Sequence, residues 1–270
     1  MRKEKIGLVL SGGGAKGSYQ AYVASRIMEV KDVSVITGVS AGALNGAILS
    51  QGDPVQIRRI WSNLRKEDVW SGGHGILRYI KLAFGSALGL YSPEPLIERL
   101  EKEFDPSDVE IPFEAGAVSL KDGRYVPYKI DPTDTYNQKQ KERARRFVAA
   151  SSAVPLGVEP IEISGELMTD GGIRNIAPVK DAIKYEPDRI IAIFNSAVDQ
   201  PAVDEIGNPT HAFGVAQSAL QILLNETVRS DVLAAQRVNQ TIREAGPEAA
   251  KKANVKHIPI TRIHTSNHLG

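Results

Sequence analysis

The chain contains no cysteine. That absence removes disulfides, thiolate nucleophiles and cysteine-bound metals, and it fits a cytoplasmic protein. Charge of one sign is also missing. Lys and Arg number 33 against 32 Asp and Glu, a net +1, and the cations are scattered rather than striped, so no nucleic-acid partner is expected. Long apolar runs are absent: no stretch approaches the roughly 18–20 residues needed to span a bilayer. The run 6–10 behind the charged Met1-Arg2-Lys3-Glu4-Lys5 is too short for a signal peptide. These features predict a soluble chain that starts near Met1. What remains is ordinary globular composition, 42% apolar and 24% charged. At 270 residues the chain can build one large α/β core. Without repeats or a low-complexity linker, the reading is a single domain over 1–270, with its motifs within about 6–194.

The periodicity predicts an alternation of strands and helices. An apolar strand at 6–10 leads through a glycine loop to a helix at 18–30, then to a β-branched strand at 33–37. A small-residue helix follows at 41–49, and Pro54 opens another. Residues 95–104 carry an amphipathic helical pattern. Asp122-Gly123 marks a hairpin between 114–120 and 124–130. The polar stretch 131–146 reads as exposed chain, and a second hairpin turns about Gly165 and ends at Asp170. A helix from near Pro178, a strand at 189–195, a long helix at 211–245 and a final strand at 255–260 complete the pattern.

Three glycine-rich turns stand out. The first, Gly12-Gly13-Gly14-Ala15-Lys16-Gly17, follows the first strand. Its Gly12, Gly14 and Gly17 also satisfy a dinucleotide fingerprint, but that fingerprint needs an acid at the end of the second strand, where Thr37-Gly38-Val39-Ser40 stands. A phosphate loop of the Walker type fails because Gly17 separates Lys16 from Ser18. The other use of such a loop is an oxyanion hole, with the Gly13 and Gly14 N–H groups facing the charge formed at an attacked carbonyl. The second turn, Gly38-Val39-Ser40-Ala41-Gly42, puts a serine between glycines at a strand-to-helix corner, the nucleophile-elbow pattern. A serine nucleophile needs a base. The five histidines are poorly placed to act as one. His74 lies in a glycine loop, His211 opens a helix, and His257, His264 and His268 crowd the C-terminus. The third turn, Asp170-Gly171-Gly172, offers a carboxylate at a strand end with backbone room on its far side.

In order and spacing, the three turns resemble the patatin-like phospholipases. The likeness extends to Ala150-Ser151-Ser152-Ala153-Val154-Pro155 and to Asn175 and Pro178, over about 6–194; Gly172 stands where alanine is also usual. The resemblance implies a three-layer α/β/α sandwich around a mostly parallel sheet, and a Ser40–Asp170 dyad with no histidine. It further implies an oxyanion hole from Gly12, Gly13 and Gly14, support from Lys16, Gly17, Gly38, Gly42, Gly171 and Gly172, and no metal or cofactor. Its substrates would be ester-linked acyl chains of phospholipids or lysophospholipids. Desolvation beside an apolar acyl pocket would raise the Asp170 pKa toward neutrality. The competing reading at this stage is a nucleotide-binding α/β protein using the loop 12–17.

The segment 75–91 is strongly apolar, with Arg78 and Lys81 its only charges and glycines before and within it. It reads either as a helix packed on the sheet or as a lid that meets a lipid surface.

Overall fold

In the computed structural model the described residues are 2–72, 88–195 and 258–264, together with the helical positions Val215, Ser218, Ala219, Ile222, Gln240 and Glu244. Two apolar strands begin the sheet: β1 (Lys5–Leu10) and β2 (Asp32–Val39), parallel and buried along almost their whole length. Their burial on both sides follows from the helices that cover both faces. Between them lies α1 (Gly17–Val30), preceded by a short 3-10 turn at Gly14–Lys16. Then come α2 (Ala41–Leu49) and α3 (Pro54–Asn63), the latter capped by Asp53, whose carboxylate accepts from the N–H groups of Val55 and Gln56. Further helices among the described residues are α4 (Glu94–Glu103), α5 (Gln138–Ala150) and the single-turn α6 (Val179–Ile183).

A two-stranded ribbon pairs β3 (Ser71–Gly72) with β4 (Tyr91–Ser92). The main sheet adds β5 (Phe113–Ser119), β6 (Tyr125–Ile130), β7 (Ile161–Ile163), β8 (Glu166–Asp170), β9 (Arg189–Phe194) and β10 (Ile260–His264). Its order is β10-β9-β1-β2-β5-β8-β7, with β6 on the other edge of β5. The pairings from β10 to β5 are parallel, and those among β5, β6, β7 and β8 antiparallel. The sheet separates two apolar cores. Ile6, Leu8 and Leu10 of β1 pack with residues of α1 to α5 on one face. Val9 points to the other, against Val179 and Ala182 of α6 and Ile176. This is the three-layer α/β/α sandwich expected from the sequence.

One feature of the sheet positions the site. Along one edge β5 is shared: β2 pairs with its first half, so that Val39 lies opposite Gly116, and β8 pairs with its second half, so that Asp170 lies opposite Ala117. The two strands approach each other end to end beside adjacent residues of β5, and each must turn away.

The structure departs from the sequence reading in two places. Residues 138–150, within and beyond the stretch read as exposed chain, form α5. A capping box between Asn137 and Gln140 starts it, and its far half buries Ala144, Phe147 and Val148. Arg145 is buried with them, its Nε donating to the Phe104 carbonyl at 2.8 Å. The many charges of this helix disguise its apolar stripe. The final strand is Ile260–His264 rather than 255–260; it is an edge strand with half its residues exposed, so its pattern is weak. Most of the helix expected at 211–245, the residues 255–257 and the part of the lid segment at 75–87 lie outside the described residues. No helix among the described residues is long and apolar enough to cross a membrane.

Candidate active site

Ser40 terminates β2 with φ 57° and ψ −128°, a conformation that non-glycine residues avoid. What holds it there is packing on all sides. A Cβ on Gly42 would lie 2.1 Å from the Leu10 carbonyl oxygen, and one on Gly38 would lie 2.3 Å from that of Gly42. Only glycine permits a corner this tight, which explains both flanks of the serine. The corner opens α2: the N–H groups of Ala43 and Leu44 donate to the Ser40 carbonyl at 2.9 and 3.2 Å. The positive end of the helix dipole therefore lies at Ser40. The Ser40 N–H donates to Ser151 Oγ at 3.0 Å, and that hydroxyl donates a short hydrogen bond to the Gly116 carbonyl. Ser151 thus ties the elbow to β5.

Asp170 ends β8 from the opposite direction and is almost wholly buried, 3% exposed. A Cβ on Gly171 would stand 2.3 Å from the Gly116 carbonyl oxygen, so the chain passes closer to β5 than any side chain allows. The Gly172 N–H donates to Asp170 Oδ1 at 2.7 Å, and the Asp170 N–H donates to the Ala153 carbonyl at 3.0 Å. Burial pushes the Asp170 pKa up to about 6, and the Gly172 N–H and the nearby Ser40 hydroxyl offset part of that rise.

The glycine loop lies against the elbow, since a Cβ on Gly12 would fall 3.2 Å from Ser40 Cβ. Gly14 has φ +57°, and a Cβ on Gly13 would lie 2.1 Å from Asn195 Cβ. The Gly12 N–H donates to the Ile176 carbonyl at 3.0 Å, which removes it from the set of available donors. Its place in the expected oxyanion hole is corrected for that reason: the loop needs this bond to hold its shape. Among the described residues, neither the Gly13 nor the Gly14 N–H has a hydrogen-bond acceptor. Gly17 begins α1 tight against Ala41 and Trp61, each 3.0 Å from where its Cβ would be, while Lys16 is exposed at the end of the 3-10 turn.

Several polar residues that support this loop were not singled out by the sequence. Asn195 Nδ2 donates to the carbonyls of Ser11 and Gly12 at 3.1 and 3.3 Å. Gln20 Nε2 donates to those of Ser11 and Ile193, both at 3.0 Å. Asn45 Nδ2 donates to Gln20 Oε1 and the Gly17 carbonyl, and Trp61 Nε1 donates to Asn45 Oδ1 at 2.8 Å. The signal was present: Gln20 and Asn45 are polar residues on otherwise apolar helix faces, and buried amides must be paired. Among the described residues the single histidine is His264. It is exposed on β10, three strands from β2, a separation of about 14 Å at the usual strand spacing. His74, His211, His257 and His268 lie outside the described residues.

The strained Ser40 and the buried Asp170 thus stand at one strand junction of a three-layer sheet, with the glycine loop against the serine. Comparison with known proteins gives the family. The family model for patatin-like phospholipase matches residues 8–183, and the chain belongs to that family. Among curated proteins it is similar to uncharacterized NTE family proteins of Mycobacterium bovis and Mycobacterium tuberculosis, each 27% identical over 76% of this chain. The chain spans about half the length of those relatives, 53%. Among solved structures, VipD from Legionella pneumophila matches with TM-score 0.50 at 16% identity, over 99% of this chain and 64% of that one, a likeness of fold.

Proposed function

We propose that the protein is a serine-dependent lipid acyl hydrolase, cleaving ester-linked fatty acyl chains of phospholipids or lysophospholipids through Ser40 and Asp170. The observation that carries the reading is the juxtaposition of the strained Ser40 and the buried Asp170 carboxylate at the ends of two strands on adjacent residues of β5, with burial raising the carboxyl to about 6. A carboxylate at its ordinary pKa is a weak base for a hydroxyl; one raised toward neutrality and still ionised at pH 7 is stronger. Ser40 Oγ attacks the acyl carbonyl and its proton passes to Asp170. The developing oxyanion takes the Gly13 and Gly14 N–H groups and the end of α2. Collapse breaks the ester C–O bond, and Asp170 returns the proton to the departing alcohol. Water, deprotonated by the same carboxylate, then attacks the acyl-serine and releases the fatty acid.

Lys16 adds positive charge at the rim of the loop, and Gly17, Gly38, Gly42, Gly171 and Gly172 supply the close approaches that shape the site. Contact with the lipid surface is assigned to the segment 75–91, of which Leu88 is 57% exposed. The test is direct. Mixed phospholipid and lysophospholipid vesicles incubated with wild type should release free fatty acid, and those incubated with Ser40→Ala should not. A fluorophosphonate with a long acyl chain should label Ser40 alone; an adduct on another residue, or none in folded protein, rejects the mechanism.

A further inference from the structure

The strand junction has a buttress on the side of the sheet facing α6. Tyr125, the first residue of β6, lays its side chain across Gly116: a Cβ on that glycine would fall 1.9 Å from the Tyr125 hydroxyl oxygen. The hydroxyl donates to Asp181 Oδ2 at 3.1 Å, with the Asn175 side chain close by. Asn175 in turn belongs to the Asp170 turn, its N–H donating to the Gly171 carbonyl at 3.0 Å. Gly116 is the residue both halves of the site lean on. Its carbonyl accepts from Ser151, which holds the Ser40 N–H, and it is the atom closest to Gly171.

We propose that Tyr125 is a positioning residue for both Ser40 and Asp170, its hydroxyl, held by Asp181, locking the strand junction at Gly116, against whose carbonyl the turn that carries the carboxylate packs. The inference rests on the reading of Ser40 and Asp170 as nucleophile and base. The anchor is well made. Asp181 Oδ1 accepts from Lys184 at 2.6 Å. Glu114 stands beside it, with its Oε1 3.7 Å from the same ammonium, and Tyr185 donates to Glu114 Oε2 at 3.2 Å. Burial and the neighbouring Asp181 and Glu114 raise the Tyr125 pKa, so the phenol remains a donor throughout the working range of pH. No charged group is among the causes of the Asp170 shift. Tyr125 and Asp181 therefore act on Asp170 by geometry, not by charge.

The test compares Tyr125→Phe and Asp181→Leu, which both remove the lock, with Asp181→Asn, which keeps an acceptor for the phenol. Each full-length variant is assayed for melting temperature, for kcat and KM on a short soluble ester, and for the titration of Asp170. The last is read from its carboxyl carbon in aspartate-labelled protein, assigned with Asp170→Asn. A loosened turn admits water, so the Asp170 midpoint should fall by about half a pH unit or more in Tyr125→Phe and Asp181→Leu. In both, kcat should drop about tenfold with KM nearly constant, and Asp181→Asn should restore the wild-type midpoint. A folded Tyr125→Phe or Asp181→Leu with the midpoint and kcat of wild type overturns the proposal, whatever its melting temperature. The carbon titration does not depend on turnover. A shifted midpoint in a protein that hydrolyses no ester would therefore sink the hydrolase reading and leave the positioning role standing.

Discussion

Asp170→Asn should make the protein more stable while it destroys activity, and the gain should depend on pH in a calculable way. The carboxyl rises from an ordinary 3.8 to about 6 because it is buried. A carboxyl whose pKa is raised by folding binds its proton more tightly in the folded state, so its contribution to stability is present below about pH 4 and is lost as pH climbs through 6. Two pKa units at about 1.36 kcal/mol each give roughly 3 kcal/mol of destabilisation by the ionised form. Asparagine has the same shape, can accept from the Gly172 N–H and carries no charge to bury. The variant should therefore exceed wild type by about 3 kcal/mol at pH 8 and by only about half a kcal/mol at pH 4. For a chain of this size that is a rise in melting temperature of about 5–10 °C at pH 8. Thermal melts of both proteins across that range, with circular dichroism to confirm the fold, make the measurement. Equal melting temperatures at pH 8 would refute the reasoning, because a carboxylate that costs nothing when ionised is not a raised base.

Other consequences follow from the same geometry. Ester hydrolysis should rise with pH through a single acid limb near 6, the value at which Asp170 loses its proton; a limb near 4 on a soluble substrate would separate the base from this carboxyl. Ser40→Gly and Ser40→Ala should both be inactive, but the glycine variant should be more stable by about 1–3 kcal/mol because it relieves the φ of 57°; chemical denaturation reads the difference, and equal stabilities would mean that the elbow stores no strain. Gly42→Ala should fail to accumulate as folded protein, since its Cβ would stand 2.1 Å from the Leu10 carbonyl oxygen, a backbone atom that cannot swing aside; a soluble Gly42→Ala protein with a wild-type melting temperature would disprove the close packing. Gln20→Leu leaves the Ser11 and Ile193 carbonyls short of a donor, which should cost about 2–3 kcal/mol in denaturant unfolding.

Much of this site is legible in the sequence because its turns are extreme. Gly38, Ser40 and Gly42 must be near each other in the chain, since they build one corner, and a corner that admits no Cβ announces itself as glycine. Asp170 is legible for the same reason, flanked by the glycines that let its strand end against β5. The strands read easily because β1 and β9 are buried on both faces and carry unbroken apolar runs, and β2 is rich in β-branched residues. What escaped is whatever depends on residues remote in sequence. Ser151 reaches Ser40 across a helix end, and the Asn195 amide reaches Ser11 from the end of β9. Nothing local tells a buried serine that bridges two strands from one that merely ends a helix. The helix α5 escaped for a different reason. Its buried stripe includes Arg145, a residue whose burial depends on the Phe104 carbonyl, and arginine reads as surface until that partner is known.

The two-residue centre proposed above would make the register of β5 matter more than any side chain in it. In a triad, the histidine's two nitrogens span the distance between acid and serine, so the acid can sit farther away. In the proposed pair no such spacer joins them. The backbones must bring them together unaided, and they do so by ending two strands beside adjacent positions, Val39 opposite Gly116 and Asp170 opposite Ala117. A slip of one residue in either pairing would carry a strand end about 3.3 Å along β5 and send its side chain to the other face of the sheet. Either change separates the two side chains. That demand accounts for the density of restraints at one glycine: β2 and β6 flank Gly116, Ser151 binds its carbonyl, Gly171 abuts that same carbonyl, and the Tyr125 hydroxyl covers its α-carbon.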